Sequence, residues 1–84
     1  MSAKNNSAGS SFPLSMAMPG DLVKIVAFRA GSSMQERLLS MGINIGDVIR
    51  VEQQQRKGPM FISKDGQKYG LGAGMAHKIL TTRV

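Results

Sequence analysis

The sequence predicts a mainly β domain: a small closed barrel of five short strands, one α-helix between the first two strands, and a short helical turn before the last. Three observations lead there. Short apolar or alternating runs recur along the chain, each bounded by Gly, Pro or Asp turn signals. Only the stretch from Ser33 to Met41 carries a sustained helical stripe. Strands this short leave unpaired edges, and closing the sheet removes them. The 84 residues suffice for one domain with a thin core. That core is aliphatic, because the chain has three Phe, one Tyr and no Trp.

Residues 1–13 read as a flexible N-terminal tail and 14–84 as the folded domain. The tail is rich in Ser, Asn, Ala and Gly and has little to bury. Met16 and Met18 flank the first turn and are expected to pack against the barrel. Pro19-Gly20-Asp21 turns the chain into a first strand, Leu22 to Phe28. Val23, Ile25 and Ala27 share one face; Leu22, Lys24, Val26 and Phe28 share the other. Only Lys24 is polar, so cover on much of both faces is expected.

Ser33 and Glu36 have capping-box spacing at the helix start. Met34, Leu38 and Met41 form its apolar stripe, with Leu39 beside them. Gly42 stands where a left-handed C′ residue belongs, and Ile43 is placed to contact Leu38 in a Schellman closure. Ile45-Gly46-Asp47 turns into a second strand, in which Ile49, Val51 and Gln53 alternate with Arg50, Glu52 and Gln54. Gly58-Pro59 breaks it before a third strand, Met60 to Lys64. Asp65-Gly66 is a type I′ hairpin signal, since both positions require positive φ. The return strand runs from Gln67 to about Leu71, a helical turn spans Ala73 to His77, and a last strand occupies Lys78 to Val84. Phe28 and Phe61 are assigned to the core.

In this order the landmarks resemble the FeoA family. The segment Gln35-Glu36-Arg37-Leu38-Leu39-Ser40-Met41-Gly42-Ile43-Asn44-Ile45-Gly46 is similar to its signature: a helix ending in leucines, Met-Gly-Ile, then a turn glycine before a strand. Pro19-Gly20, Gly58-Pro59, and the ending through Leu71, Ala76 and Ile79 also fit. Ile45 departs from the pattern, since the family usually has Pro there. The resemblance implies an SH3-like barrel and a cytoplasmic accessory protein of ferrous iron uptake. Its implied partner is the FeoB-type membrane transporter, which carries a cytosolic GTP-binding domain. A similar barrel also forms a C-terminal domain of some metal-dependent repressors.

The residues themselves offer little chemistry. There is no cysteine, which removes disulfides, thiolate catalysis and thiolate metal sites, and favours a reducing compartment. No stretch reads as a signal peptide or a spanning helix, so a cytoplasmic protein is expected. His77 is the single histidine, and no carboxylate stands at ligand spacing from it, so a surface histidine is preferred to a metal ligand. The seven methionines are read as packing; thioethers suit Cu(I), not Fe(II). Gly70, Gly72 and Gly74 lack the spacing of a phosphate-binding loop. Neither a catalytic set nor a cofactor is indicated, and the chain reads as a non-enzyme.

A partner surface is the favoured site. The net charge of +6 steers the molecule to acidic surfaces and makes association salt-dependent. The exposed helix flank and the loop Gln54 to Pro59 nominate Arg37, Arg56 and Lys57 as partner-binding residues, and Arg50 of the second strand is named with them. Arg37, Arg50 and Arg56 are also the candidates for an arginine supplied in trans to a GTPase, with a solvated charge as the default. The alternative function is a small basic barrel that binds nucleic acid through phosphate contacts, which the scarcity of aromatics disfavours.

Overall fold

The computed structural model describes residues 11–55 and 58–84. The expected tail as far as residue 10 lies outside them, as do Arg56 and Lys57. Phe12–Pro13 forms a short strand, β1, followed by a 3-10 turn at Leu14–Met16. Then come β2 (Leu22–Phe28), α1 (Ser32–Ser40), β3 (Val48–Gln54), β4 (Met60–Lys64), β5 (Gln67–Leu71), α2 (Ala73–His77) and β6 (Ile79–Arg83). The strands make one antiparallel sheet of six in the order β1-β6-β2-β3-β4-β5.

This differs from the expected closed five-stranded barrel in two ways. The strand order begins with β1 and ends with β5, so strand pairing does not close the sheet. The sixth strand, β1, comes from Phe12 and Pro13, which the sequence reading placed in the tail. Two residues are too few to show alternation. What holds them is distant: Phe12 pairs with Thr81, and the Thr81 hydroxyl donates to the Phe12 carbonyl at 3.0 Å. Arg83 adds a cation–π contact, 5.2 Å from the Phe12 ring centre.

One apolar cluster fills the inner side of the sheet. Val23 and Ile25 of β2, Ile49 and Val51 of β3, Met60 and Ile62 of β4, Leu71 of β5 and Ile79 of β6 converge there. Leu14, Ala17, Leu38, Ile43 and Ala76 close it from the connections and helices. Register shifts at Val26 in β2 and Glu52 in β3 interrupt the ladders. Such bulges bend a strand and add twist, which lets a sheet of short strands wrap around so small a core. Among the described residues Thr81 is the buried polar one, and its bond to Phe12 satisfies it.

The local signals of α1 hold at its end and fail at its start. Gly42 has φ of +86°; its N–H donates to the Leu39 carbonyl and the Ile43 N–H to the Leu38 carbonyl, both at 2.9 Å. These are the two bonds of a Schellman closure, and Leu38 and Ile43 are both fully buried beside it. At the other end the capping box is not made. The helix begins two residues earlier than a Ser33 cap requires, with Gly31 as N-cap, which moves Ser33 inside the first turn. The hairpin signal holds: Asp65 and Gly66 have φ of 52° and 83°, and Lys64 pairs with Gln67 across them.

The outward assignments need correction. Leu22 and Val26 are exposed, so β2 is covered on one face and not on both. Met16 and Met18 are exposed rather than packed on the sheet. Phe28 packs against the core from a half-buried position, whereas Phe61 faces outward.

Candidate partner-binding surface

Directly paired residues on adjacent strands share a face of the sheet. Leu22 pairs with Arg50, Arg50 with Ser63, and Ser63 with Lys68. Their neighbours Val23, Ile49, Val51 and Ile62 are buried, so this row runs across the outer face of four strands. A second row joins Thr82, Lys24 and Val48 across β6, β2 and β3. The Val84 N–H donates to the Leu22 carbonyl, which brings a third aliphatic residue to the same edge. Leu22, Val48 and Val84 are 44, 46 and 73% exposed. The outer face is therefore aliphatic at its centre and studded with Lys24, Arg50 and Lys68.

A loop extends it. The Gly46 N–H donates to the Ile25 carbonyl at 2.7 Å, and the Ile25 N–H to the Asp47 carbonyl at 2.9 Å. That holds exposed Ile45 beside exposed Val26. Asp47 stiffens the loop: its carboxylate accepts from the Asn44 N–H at 2.7 Å and pairs with Lys64 at 2.9 Å. Burial pushes the Asp47 carboxyl up, but the hydrogen bonds from Lys64 and Asn44 outweigh it and hold the group below its ordinary value. The hydrogen bond to Asp47 raises the Lys64 ammonium above its own ordinary value. Lys64 also donates to the Gly42 carbonyl, so one cation joins β4, the end of α1 and this loop.

Among the described residues the ion pairs are Lys64–Asp47 and Arg83–Asp21. Lys24, Arg50 and Lys68 have none, which leaves the outer face cationic. Glu52 is its acidic member, and Ser63 donates to it at 2.6 Å. Glu52, Gln53, Phe61 and Lys68 line a cavity of about 210 Å³ at the β5 side. Phe61 lies over Gly70, where an added Cβ would stand 3.1 Å from its ring.

Of the residues nominated from sequence, Arg50 stands in the middle of this face. Arg37 does not join it. It is exposed on α1, whose buried Leu38 enters the cluster on the inner side of the sheet. Arg56 and Lys57 lie outside the described residues. Leu22, Val26, Val48 and Phe61 escaped the sequence reading. The available signal was the position of Lys24 and Arg50 on the same alternating sets as Leu22, Val26 and Val48. Around His77 the structure places the Ser15 hydroxyl, 3.4 Å from Nδ1. Among the described residues no three His, Cys, Asp or Glu side chains gather to hold a metal ion.

Residues 12–83, the span from β1 to the end of β6, match the model of the FeoA domain. The chain belongs to the FeoA family. A Methanocaldococcus jannaschii protein with the provisional name Fe(2+) transport protein A is 41% identical over 69 residues, which are 82% of this chain and 83% of that one. The crystal structure of an iron uptake regulatory protein (FeoA) superposes with a TM-score of 0.83 at 31% identity, covering 88% of this chain and 99% of the other. A manganese-dependent transcriptional repressor contains the same fold in 42% of its length, with a TM-score of 0.81, 21% identity and 88% of this chain covered. That likeness is one of fold. The small SH3-like FeoA fold is thus reached from sequence, topology and superposition, and among its described residues no helix is long and apolar enough to cross a membrane.

Proposed function

We propose that this FeoA domain is a cytoplasmic, non-enzymatic accessory of ferrous iron uptake. Its outer sheet face docks on the cytosolic part of a FeoB-type membrane transporter. The observation that carries the reading is that face: exposed Leu22, Val26, Val48 and Val84 around Lys24 and Arg50, cations with no ion pair among the described residues. Aliphatic contacts supply the area that docking removes from water, and the cations choose an acidic surface and speed encounter. The family supports a role in Fe(2+) transport, through the name of the Methanocaldococcus jannaschii relative. Arg50 is the contact retained from the sequence set.

The test is a titration of this protein with the purified cytosolic portion of the transporter at low and physiological salt. Binding should weaken as salt rises. Leu22→Asp with Val48→Asp should abolish it, and Arg50→Glu should weaken it and flatten the salt dependence. Unchanged affinity in the Leu22/Val48 double variant would sink the docking face.

One observation favours a second reading. Phe61 faces outward beside Lys68, an aromatic next to a cation on the side where a base could stack. A gel shift with single-stranded oligonucleotides at physiological salt discriminates, since docking on a protein predicts no complex there.

A further inference from the structure

At the far end of β2 the chain gathers a different set of cations. Arg29 follows β2 directly, His77 ends α2, and Lys78 joins α2 to β6. The Arg29 N–H donates to the Lys78 carbonyl at 2.7 Å, and the preceding Phe28 pairs with Ile79. The backbone, and not the reach of two long side chains, therefore sets Arg29 and Lys78 side by side. Arg29, His77 and Lys78 line a cavity of about 150 Å³.

No carboxylate lines this recess, and neither Arg29 nor Lys78 has an ion pair among the described residues. Like charges that converge without a counterion repel, and an anion from solution relieves that repulsion. At the end of α2 the Lys78 N–H donates to the Met75 and Ala76 carbonyls. Ser15, on the turn packed against α2, lies 3.4 Å from His77 Nδ1 and leaves Nε2 for a ligand. A guanidinium fork, an ammonium and an imidazole are the donors that fit phosphate oxygens. The volume admits one tetrahedral oxyanion with some water, and falls short of the space drug-sized ligands occupy.

We propose that the recess between Arg29, His77 and Lys78 is an oxyanion site that takes a phosphate group. It is separate from the outer sheet face and independent of the docking reading. The probe is inorganic phosphate, titrated into the full chain at constant ionic strength and followed by amide and His77 ring NMR signals. Saturable shifts should centre on Arg29, His77 and Lys78. Arg29→Gln and Lys78→Gln should each weaken binding about fivefold, the scale of one exposed ionic contact. Arg37→Gln should not change it.

A second arm uses sedimentation with vesicles containing phosphatidic acid, with the Arg29/Lys78 double variant alongside. Saturation by inorganic phosphate alone assigns a free anion. Binding to vesicles alone, lost in the double variant, assigns a lipid headgroup. Three outcomes overturn the site: no binding in either arm, binding that the double variant retains, or shifts spread equally over Lys24, Arg50 and Lys68. Both substituted side chains are exposed, so the fold survives the change and the dispersed amide spectrum verifies it.

Discussion

Replacing Gly42 with alanine isolates the backbone term that ends α1. Gly42 holds φ of +86° while the two closing bonds of the helix pass through it and Ile43. An added Cβ would meet nothing nearer than the Tyr69 hydroxyl at 3.9 Å, an ordinary contact, so crowding contributes nothing. An L-residue in this region costs roughly 1–2 kcal/mol. Removing a glycine also stiffens the unfolded chain, which returns about 0.4–1 kcal/mol. The net destabilisation is about 1 kcal/mol, or roughly 4–8 °C in Tm for a domain of this size. Gly74 is the internal control. It lies inside α2 without a positive φ, and an added Cβ meets nothing within 4 Å. There the same substitution should stabilise by about 0.5–1 kcal/mol. Thermal melts followed by far-ultraviolet circular dichroism, with urea midpoints, read both. A Gly42→Ala melt within about 1 °C of the parent, or a loss at Gly74 matching that at Gly42, would refute the reasoning.

Three further outcomes follow from the packing and the charges. Ile62 is fully buried on β4, a strand paired on both sides, so Ile62→Ala should cost about 2–5 kcal/mol in urea unfolding, a large share of a small domain's stability. Thr81→Val removes the donor to the Phe12 carbonyl and should cost about 1 kcal/mol, with faster amide exchange at Leu14 as β1 loosens. For Asp47 the folded state lowers the pKa below 3.8, so the unfolded chain takes up the proton first as pH falls. Its contribution is complete above about pH 3.8 and is lost as pH drops through the lower folded value. Asp47→Asn should therefore flatten the acid limb of a Tm-against-pH series.

What was legible in the sequence was local. The closure at Gly42-Ile43 and the Asp65-Gly66 hairpin depend on residue types adjacent in the chain and on positive φ, so composition alone places them. The capping box at Ser33 and Glu36 failed by two residues, because Gly31 serves as N-cap without a side chain. What stayed hidden depends on register. Nothing near Phe12-Pro13 marks a strand, since its partner Thr81 lies 69 residues away. Alternation sorted β2 correctly from Leu22 to Ile25 and failed beyond the register shift at Val26, where Phe28 pairs with buried Ile79 and joins the core side; apolar residues on both faces also made the outer one look covered. Arg50 was visible as a cation; its place between Leu22 and Ser63 is a property of three paired strands. The Arg29, His77 and Lys78 recess was likewise invisible, because Arg29 stands far along the chain from the other two.

The order β1-β6-β2 puts the last strand made between the first two. Until residues 79–83 are available, β1 has no partner and β2 keeps one edge bare. The β3–β4–β5 meander can form earlier, because its partners follow one another along the chain. Completing the sheet then means bringing β6 back across the whole chain, a closure whose entropy is paid before any contact repays it. The speed of assembly is therefore set by that one return. Changing the length of a connection between β2 and β6 should alter how fast the domain forms far more than how firmly it holds.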